Sequence, residues 1–381
     1  MAIRKEYEGR EQTYLKHRVL QEYLRPWAHK LGSFARYKAT KLWYVDCFAG
    51  PWKSADDELS DTSVAIGLAE LRNAANTWRE QGGHKVDLGA IFVEKKERSF
   101  AALSAYLQTH SHGIDVVAIP GEFGAAVDQI NRRIGSDPAF LFVDPTGWNG
   151  AAMKYIAPLA AAPTRDVLIN VMFNDLNRFK DDRREFLRTQ IAEFFGLGEG
   201  AIPSGLDEEG LFELYRSQVK AKCRVPLVAD LVIPHPRKER TWFRLVVGAH
   251  HIASIKLFRD VERKVCGLEA AEVRDEARNR GNPQLSLLDT RPVADLSYDR
   301  LHGDGLASVP QDVLAVLHRG PVRYEVLWPQ VLLKRHITLP DLNDVIGRMH
   351  RNGEVVIQGL GAKERTPKGN HVVSMPACSK E

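Results

Sequence analysis

The sequence predicts an α/β protein in which a doubly wound, mostly parallel sheet of seven strands precedes a smaller unit of three helices and two strands. Three observations carry that prediction. Between Leu42 and Val171, five short apolar runs alternate with helical patterns, the order that βαβ units impose. Two further runs, Val225 to Ile233 and Thr241 to His250, flank the turn-forming stretch Pro234 to Arg240 and read as a hairpin. Beyond Gly305 the pattern changes to three amphipathic segments and two short β-rich runs.

Composition sets the broad class. With 381 residues, 44% hydrophobic and 27% charged, the chain is long enough for one large domain and one small one, or for two comparable ones. A net charge of +4 permits a nucleic-acid partner without requiring one. Cys47, Cys223, Cys266 and Cys378 lie far apart and form no CxxC pair. That argues against a zinc site or a disulfide framework and fits reduced thiols in a cytoplasmic protein. The charged opening MAIRKEYEGREQTYLKHR is unlike a secretory signal. No apolar run approaches the roughly 18 residues of a membrane span.

The elements follow in order. From Gln12 to Leu31, Leu15, Val19, Leu20, Tyr23, Leu24 and Trp27 recur at helical spacing and predict an amphipathic helix on the sheet edge. Its basic side, Lys16, His17, Arg18 and Arg25, is either solvated or turned to a substrate. Leu42 to Val45 is a buried strand that ends in Asp46 and the small-residue turn Phe48-Ala49-Gly50-Pro51. An acidic loop, Lys53 to Thr62, leads to a helix capped by Thr62-Ser63. The second strand, Leu88 to Val93, ends in Glu94, and the third, Asp115 to Ile119, in Pro120-Gly121-Glu122-Phe123. The fourth, Ala139 to Val143, ends in Asp144-Pro145-Thr146-Gly147-Trp148, and the fifth, Asp166 to Val171, runs into Met172 to Arg178. Residues 179–222 read as a helical insertion that covers the site or holds the substrate. His250 and His251 close the hairpin, as site residues or as core and capping residues.

Ligands of open α/β sheets bind at the carboxyl ends of the strands, and five such ends carry suitable chemistry here. Phe48, Ala49 and Gly50 let a ligand approach the backbone, and Asp46 is placed for a ribose or an amino group. Glu94 is placed for a ribose diol, or alternatively charges a helix N-terminus. Glu122 and Phe123 offer an acceptor for an adenine amino group and a flat ring beside it. Together these suit S-adenosylmethionine. NAD, the rival ligand, is disfavoured by the missing GxGxxG and the acidic loop after Pro51. At the fourth strand, Asp144, the Pro145 carbonyl and Trp148 are the catalytic candidates, positioning an exocyclic amine for methylation. The alternative is a strand-to-helix turn with Trp148 in the core. Asn174, Asn177 and Arg178 are candidate substrate contacts. No metal-ligand spacing is present, so a nuclease built on Asp46, Asp144 and Asp175 is the less favoured alternative.

The chain divides into residues 1–265, a charged and turn-rich linker of residues 266–304 with room for one short helix, and residues 305–381. In the last part, Val309 to Leu317, Tyr324 to Leu333 and Pro340 to Arg351 read as helices, and Glu354 to Gln358 and His371 to Ser374 as strands. Three helices and a basic two-stranded wing make a winged-helix pattern, related to the helix-turn-helix. Arg348, Arg351, Lys363, Arg365 and Lys368 would then sit near a phosphate backbone. Such units also serve as protein-contact modules, and both readings stand.

The segments YLKHRVLQEYLRPW, YVDCFAGP, FVEKKERSFAAL, FVDPTGW, VLINVMFNDLNRF and WFRLVVGAHH resemble the three-Cys-motif partner proteins, from about Tyr14 to Val265 and in outline through the C-terminal unit. The resemblance implies a Rossmann-like, methyltransferase-type domain encoded beside a second protein that carries three cysteines. More distantly, DCFAGP is similar to the first motif of DNA and RNA methyltransferases and DPTGW to the DPPY-type motif of amino-methylating enzymes. Two positions depart from those patterns. Trp52 stands where such turns commonly have a second glycine, and Thr146-Gly147 replaces the second proline and aromatic, with Trp148 one position later. The expectation is a methyltransferase acting on nucleic acid with a three-Cys partner. The alternative is a catalytically silent adaptor that binds DNA or that partner.

Overall fold

A computed structural model describes residues 7–376 apart from 8, 51–60, 180–181, 199–201, 204, 236–239, 275–297 and 362, and apart from the side chains of residues 174, 175 and 177. Trp52 therefore lies outside the described residues. The expected strands are β1 (Thr40–Asp46), β2 (Val86–Glu94), β3 (Asp115–Pro120), β4 (Ala139–Val143), β5 (Arg165–Val171), β6 (Leu227–Pro234) and β7 (Thr241–Ala249). They form one seven-stranded sheet in the order β3-β2-β1-β4-β5-β7-β6. The first five are parallel, and β7 runs antiparallel between β5 and β6. The chain winds outward from β1 to β3 and returns to β4 on the other side of β1. That reversal opens a crevice between the ends of β1 and β4, where Asp46 pairs with Phe142.

Each strand is apolar on both sides because helices cover both faces. Tyr44, Phe92, Phe140 and Phe142 point to one layer, and Trp43, Val45, Leu141 and Val143 to the other, the period of two that a pleated strand imposes. The first layer holds α1 (Glu11–Gly32), α2 (Ser63–Gly82), α3 (Glu97–His110) and α9 (Ile252–Glu262). The second holds α4 (Phe123–Ile134), α5 (Met153–Ala160), α6 (Phe173–Phe179), α7 (Glu185–Phe195) and α8 (Glu208–Lys222). Gly67 lets α2 press onto β1, since a Cβ there would come within 2.2 Å of the Tyr44 ring. Thr62 caps α2 as expected, accepting from Ala65 N at 3.2 Å.

Three expectations are corrected. α1 lies across the sheet, not at its edge: the Tyr23 ring sits 5.5 Å from Phe140 of β4, and Tyr23 Oη donates to Asp166 at 2.8 Å. Its basic side is solvated only at Arg25, which stays exposed. Arg18 pairs with Glu22 and Glu269, Arg25 with Glu70, and His17 is buried. The insertion is a layer and not a cover. Phe194, Phe195, Phe212 and Tyr215 are buried under the second face, and the two cavities described below take no wall residue from 179–222.

The stretch 266–304 is helical at both ends. A π-helical turn, Arg263–Glu269, continues α9, and α10 spans Tyr298–Leu317. Gly303 and Gly305 disguise that start in the sequence. Gly305 serves packing, because a Cβ there would lie 3.0 Å from Ile337 Cγ2. Next come β8 (Val322–Arg323), α11 (Tyr324–Lys334), α12 (Leu339–Arg351), β9 (Val356–Gln358) and β10 (Val372–Ser374). The three strands form an antiparallel sheet in the order β8-β10-β9, with the unforeseen β8 on one side. This unit is riveted to the main sheet by Arg259, 1% exposed, which donates to Leu332 O and Asp230 O, each at 2.8 Å. Glu262 balances the charge at 2.6 Å and also meets His336 Nδ1 at 2.6 Å. Among the described residues, no helix is long and apolar enough to cross a membrane.

Candidate functional site

The site starts from the turn after β1. Asp46 is fully buried, and its carboxylate looks back into the fold. Phe48 N donates to Oδ1 at 3.1 Å and Ser63 Oγ to Oδ2 at 2.6 Å. The sequence placed Asp46 on the ligand; the structure places it beneath the turn, lining neither cavity. Burial pushes its carboxyl up to about 7, against the pull of those two bonds and with Asp144 adding a like charge. Ala49 N bonds Val93 O at 2.8 Å and Gly50 N bonds Phe48 O at 2.8 Å, so the turn is tied to β2. A Cβ on Gly50 would stand 1.8 Å from Glu94 Oε2. Gly50 is therefore the space in which the Glu94 carboxylate sits.

Two cavities open beside this turn at the carboxyl ends of the strands. The smaller, ≈ 240 Å³, is lined by Phe48, Gly50, Glu94, Glu122, Phe123 and Gly150 among others. Glu94 Oε1 accepts from Lys96 N at 2.6 Å; Oε2 has no bond among the described residues. Glu122 is exposed and meets Lys95 Nζ at 3.2 Å. Phe123 is 2% exposed, its ring tilted 5.5 Å from that of Phe48. It supports Phe48, which is half-buried and lines both cavities.

The larger cavity, ≈ 360 Å³, is walled by α1, the turn after β1, the start of α2, and the ends of β4, β5 and β7. Phe48, Gly50, Asp144 and Thr146 belong to both cavities, so the two meet at Asp144. Here α1 contributes what the sequence did not assign. Lys16 Nζ donates to Asp144 Oδ2 at 2.5 Å, and Asn170 Nδ2 donates to Oδ1 at 2.7 Å. His17 shares a bond of 2.9 Å with Tyr7 Oη, and burial, with Lys16 and Arg10 nearby, holds its imidazole down at about 3 and hence neutral. Arg10 pairs with buried Asp61.

No family model matches the chain, and no curated protein matches it. Among solved structures it is similar to a protein from Porphyromonas gingivalis W83 described as a methyltransferase, at 14% identity over 59% of this chain, with a TM-score of 0.26. This chain spans 41% of that protein's length. It is also similar to human methyltransferase-like protein 13 in complex with SAH, at 8% identity over 66% of this chain and 91% of that one, TM-score 0.31. A third is an SAH-bound methyltransferase from Podospora anserina, at 11% identity over 65% and 97%, TM-score 0.28. The chemistry of the site rests on its own residues.

The remaining expected positions divide. Pro145 lines the larger cavity beside Asp144. Trp148 lines neither; its ring packs 5.5 Å from Phe179, and its buried Nε1 has no partner among the described residues. Arg178 is exposed and stacks on Phe179 at 5.0 Å, away from both cavities. The side chains of Asn174 and Asn177 lie outside the described residues. His250 bonds Ala160 O at 3.0 Å, and His251 caps α9 at Ala253 N. Asn170 and Trp242 were not singled out; Lys16 stood only among four basic residues read as solvated or turned to a substrate, and Met172 only in the stretch that follows the fifth strand. Asn170 left a sequence signal as a lone amide inside the buried run Val167 to Val171.

In the C-terminal unit Arg348, Arg351, Lys363, Arg365 and Lys368 are all exposed. Gly347 is where the β9–β10 connection crosses α12. A Cβ there would lie 2.7 Å from Arg365 O and 3.6 Å from Arg351 Nη1. Arg351 and Arg365 thus share one surface, while Lys368 pairs with Glu364.

Proposed function

We propose that the protein is an S-adenosylmethionine-dependent methyltransferase acting on an amino group of nucleic acid, with its C-terminal unit as a winged helix and a three-Cys protein as partner. The observation that carries the first part is the cradle made by Gly50 and Glu94 in the smaller cavity. The residues fit an adenosine-type cofactor: an open carboxylate oxygen, Glu94 Oε2, lies over a position a Cβ would fill, with the half-buried Phe48 ring beside it. When bound, the cofactor supplies an electrophilic methyl group. Glu94 accepts from its diol, and Phe48, Ala49 and Gly50 bring backbone close to it. Asp46 holds that turn from below through Phe48 N and Ser63 Oγ. Asp144, Pro145 and Thr146 line the larger cavity and position the acceptor there.

The basic surface around Gly347 supports a nucleic-acid substrate, since a phosphate backbone would neutralise Arg348, Arg351 and Arg365 together. The direct test is calorimetric titration of the intact protein, with and without its partner, with S-adenosylmethionine and SAH. A saturable heat at one site per chain is expected, and no heat in either form sinks the proposal. One observation favours a second reading, a silent adaptor of the same fold: both Asp144 oxygens are already bonded, to Lys16 and Asn170. Transfer of labelled methyl to nucleic acid, lost in a folded Asp144→Ala variant, excludes that reading. The nuclease reading loses Asp46, whose oxygens face inward.

A further inference from the structure

The hairpin of β6 and β7 is irregular at the end nearest the site. Its ladder passes from Ile233 opposite Phe243 to Pro234 opposite Thr241, so Trp242 has no partner on β6. Trp242 is thus the extra residue of a β-bulge. Neighbours in a regular strand alternate between the two faces, yet Trp242 and Phe243 both pack on the first layer and both line the larger cavity. Arg244 returns to the other face, where it meets Glu208 of α8 at 2.7 Å. With unbroken alternation Trp242 would share that face with Arg244. The bulge turns it to the cavity instead.

The indole is fixed but not sealed. Trp242 is half-buried, and the ring of His235, just past β6, packs 4.5 Å from it at 68°. Both arms of the hairpin therefore set its orientation. Phe48, likewise half-buried, lines the same cavity. The charges beside these rings are balanced within the chain: Lys16 and Asn170 hold Asp144, and Arg10 pairs with Asp61. Aromatic walls around neutralised charges suit a flat, uncharged body more than a free anion. We infer that Trp242 is the platform on which an unpaired nucleobase stacks in the larger cavity. This rests on the function proposed above. It supplies the stacking ring that Trp148, packed on Phe179, does not offer. Stacking uses the π-face that every base has, so Trp242 holds the acceptor base without choosing which one.

The test uses the full-length protein saturated with SAH and two single-stranded DNA probes. One is a strand of abasic residues with a single adenine at its centre, and the other is the same strand with no base. Their phosphate charges are equal, so contacts to the backbone cancel in the comparison. Wild type is expected to bind the adenine strand about tenfold more tightly, the worth of one stacked base. Trp242→Leu, which keeps apolar bulk but no ring, should bind both strands equally. It should keep wild-type SAH affinity, because Trp242 lines only the larger cavity. Trp242→Phe keeps a ring, guards against loss of folding, and should retain part of the contrast. Four results overturn the inference: equal binding of both strands by wild type, binding of neither, an undiminished contrast in folded Trp242→Leu, or a contrast wholly lost in folded Trp242→Phe. Failure of SAH itself to bind refutes the cofactor reading instead, and the contrast is then measured without it.

Discussion

Replacing Asp46 by Asn tests whether this carboxylate is structural. Its oxygens accept from Phe48 N and Ser63 Oγ, and an Asn in the same place keeps both contacts, because a serine hydroxyl can also accept. What changes is the charge. Burial raises the carboxyl from an ordinary 3.8 to about 7, so between those values the folded chain holds a proton that the unfolded chain releases. Stability therefore falls as pH rises through that window, by up to about 1.4 kcal/mol per pH unit. Between pH 5 and pH 8 the wild type should lose about 2–3 kcal/mol relative to Asp46→Asn. The assay is urea unfolding of both proteins at half-unit pH steps. The variant should match or fall below the wild type near pH 5 and exceed it at pH 8. Parallel stability profiles refute the argument, as would a variant that loses ground as pH rises.

Other perturbations have distinct readouts. Gly50→Ala drives a methyl against the Glu94 carboxylate and should weaken SAH binding by calorimetry at least about tenfold, with little change in melting temperature. Glu262→Gln leaves Arg259 buried without its counter-charge and should cost about 3–5 kcal/mol in urea unfolding; a loss below 1 kcal/mol would mean that Arg259 is satisfied by its two carbonyls alone. Arg351→Ala should lower the salt dependence of oligonucleotide binding by about one phosphate contact, across all sequences alike. An unchanged slope removes Arg351 from the interface.

The parts of this molecule that were legible in its sequence are those set by neighbours in the chain. The run Ala139 to Val143 is too short and too β-prone to be anything but a buried strand, and Thr62-Ser63 announces a helix start. What was not legible depends on contacts between distant positions. Asp46 could face a ligand or the core, and the choice is made by Ser63, whose hydroxyl arrives from the next helix. Lys16 could be solvated or turned to a substrate, and nothing local chooses between the two because its partner, Asp144, lies more than a hundred positions away. The helix was misplaced for the same reason: nothing local shows that Tyr23 will reach Asp166 over the middle of the sheet. Trp148 could position an acceptor or pack into the core, and the choice is made by Phe179, which ends α6 and packs against its ring.

The Arg259 rivet has a further consequence. β6 is the last strand of the main sheet, and an outer strand offers a row of unused backbone groups to any passing chain. Arg259 takes one of them, Asp230 O, and its other arm grips Leu332 O of α11. At Asp230, therefore, the outer strand is tied through one guanidinium to the C-terminal unit of the same chain, and that carbonyl is withdrawn from pairing with another chain.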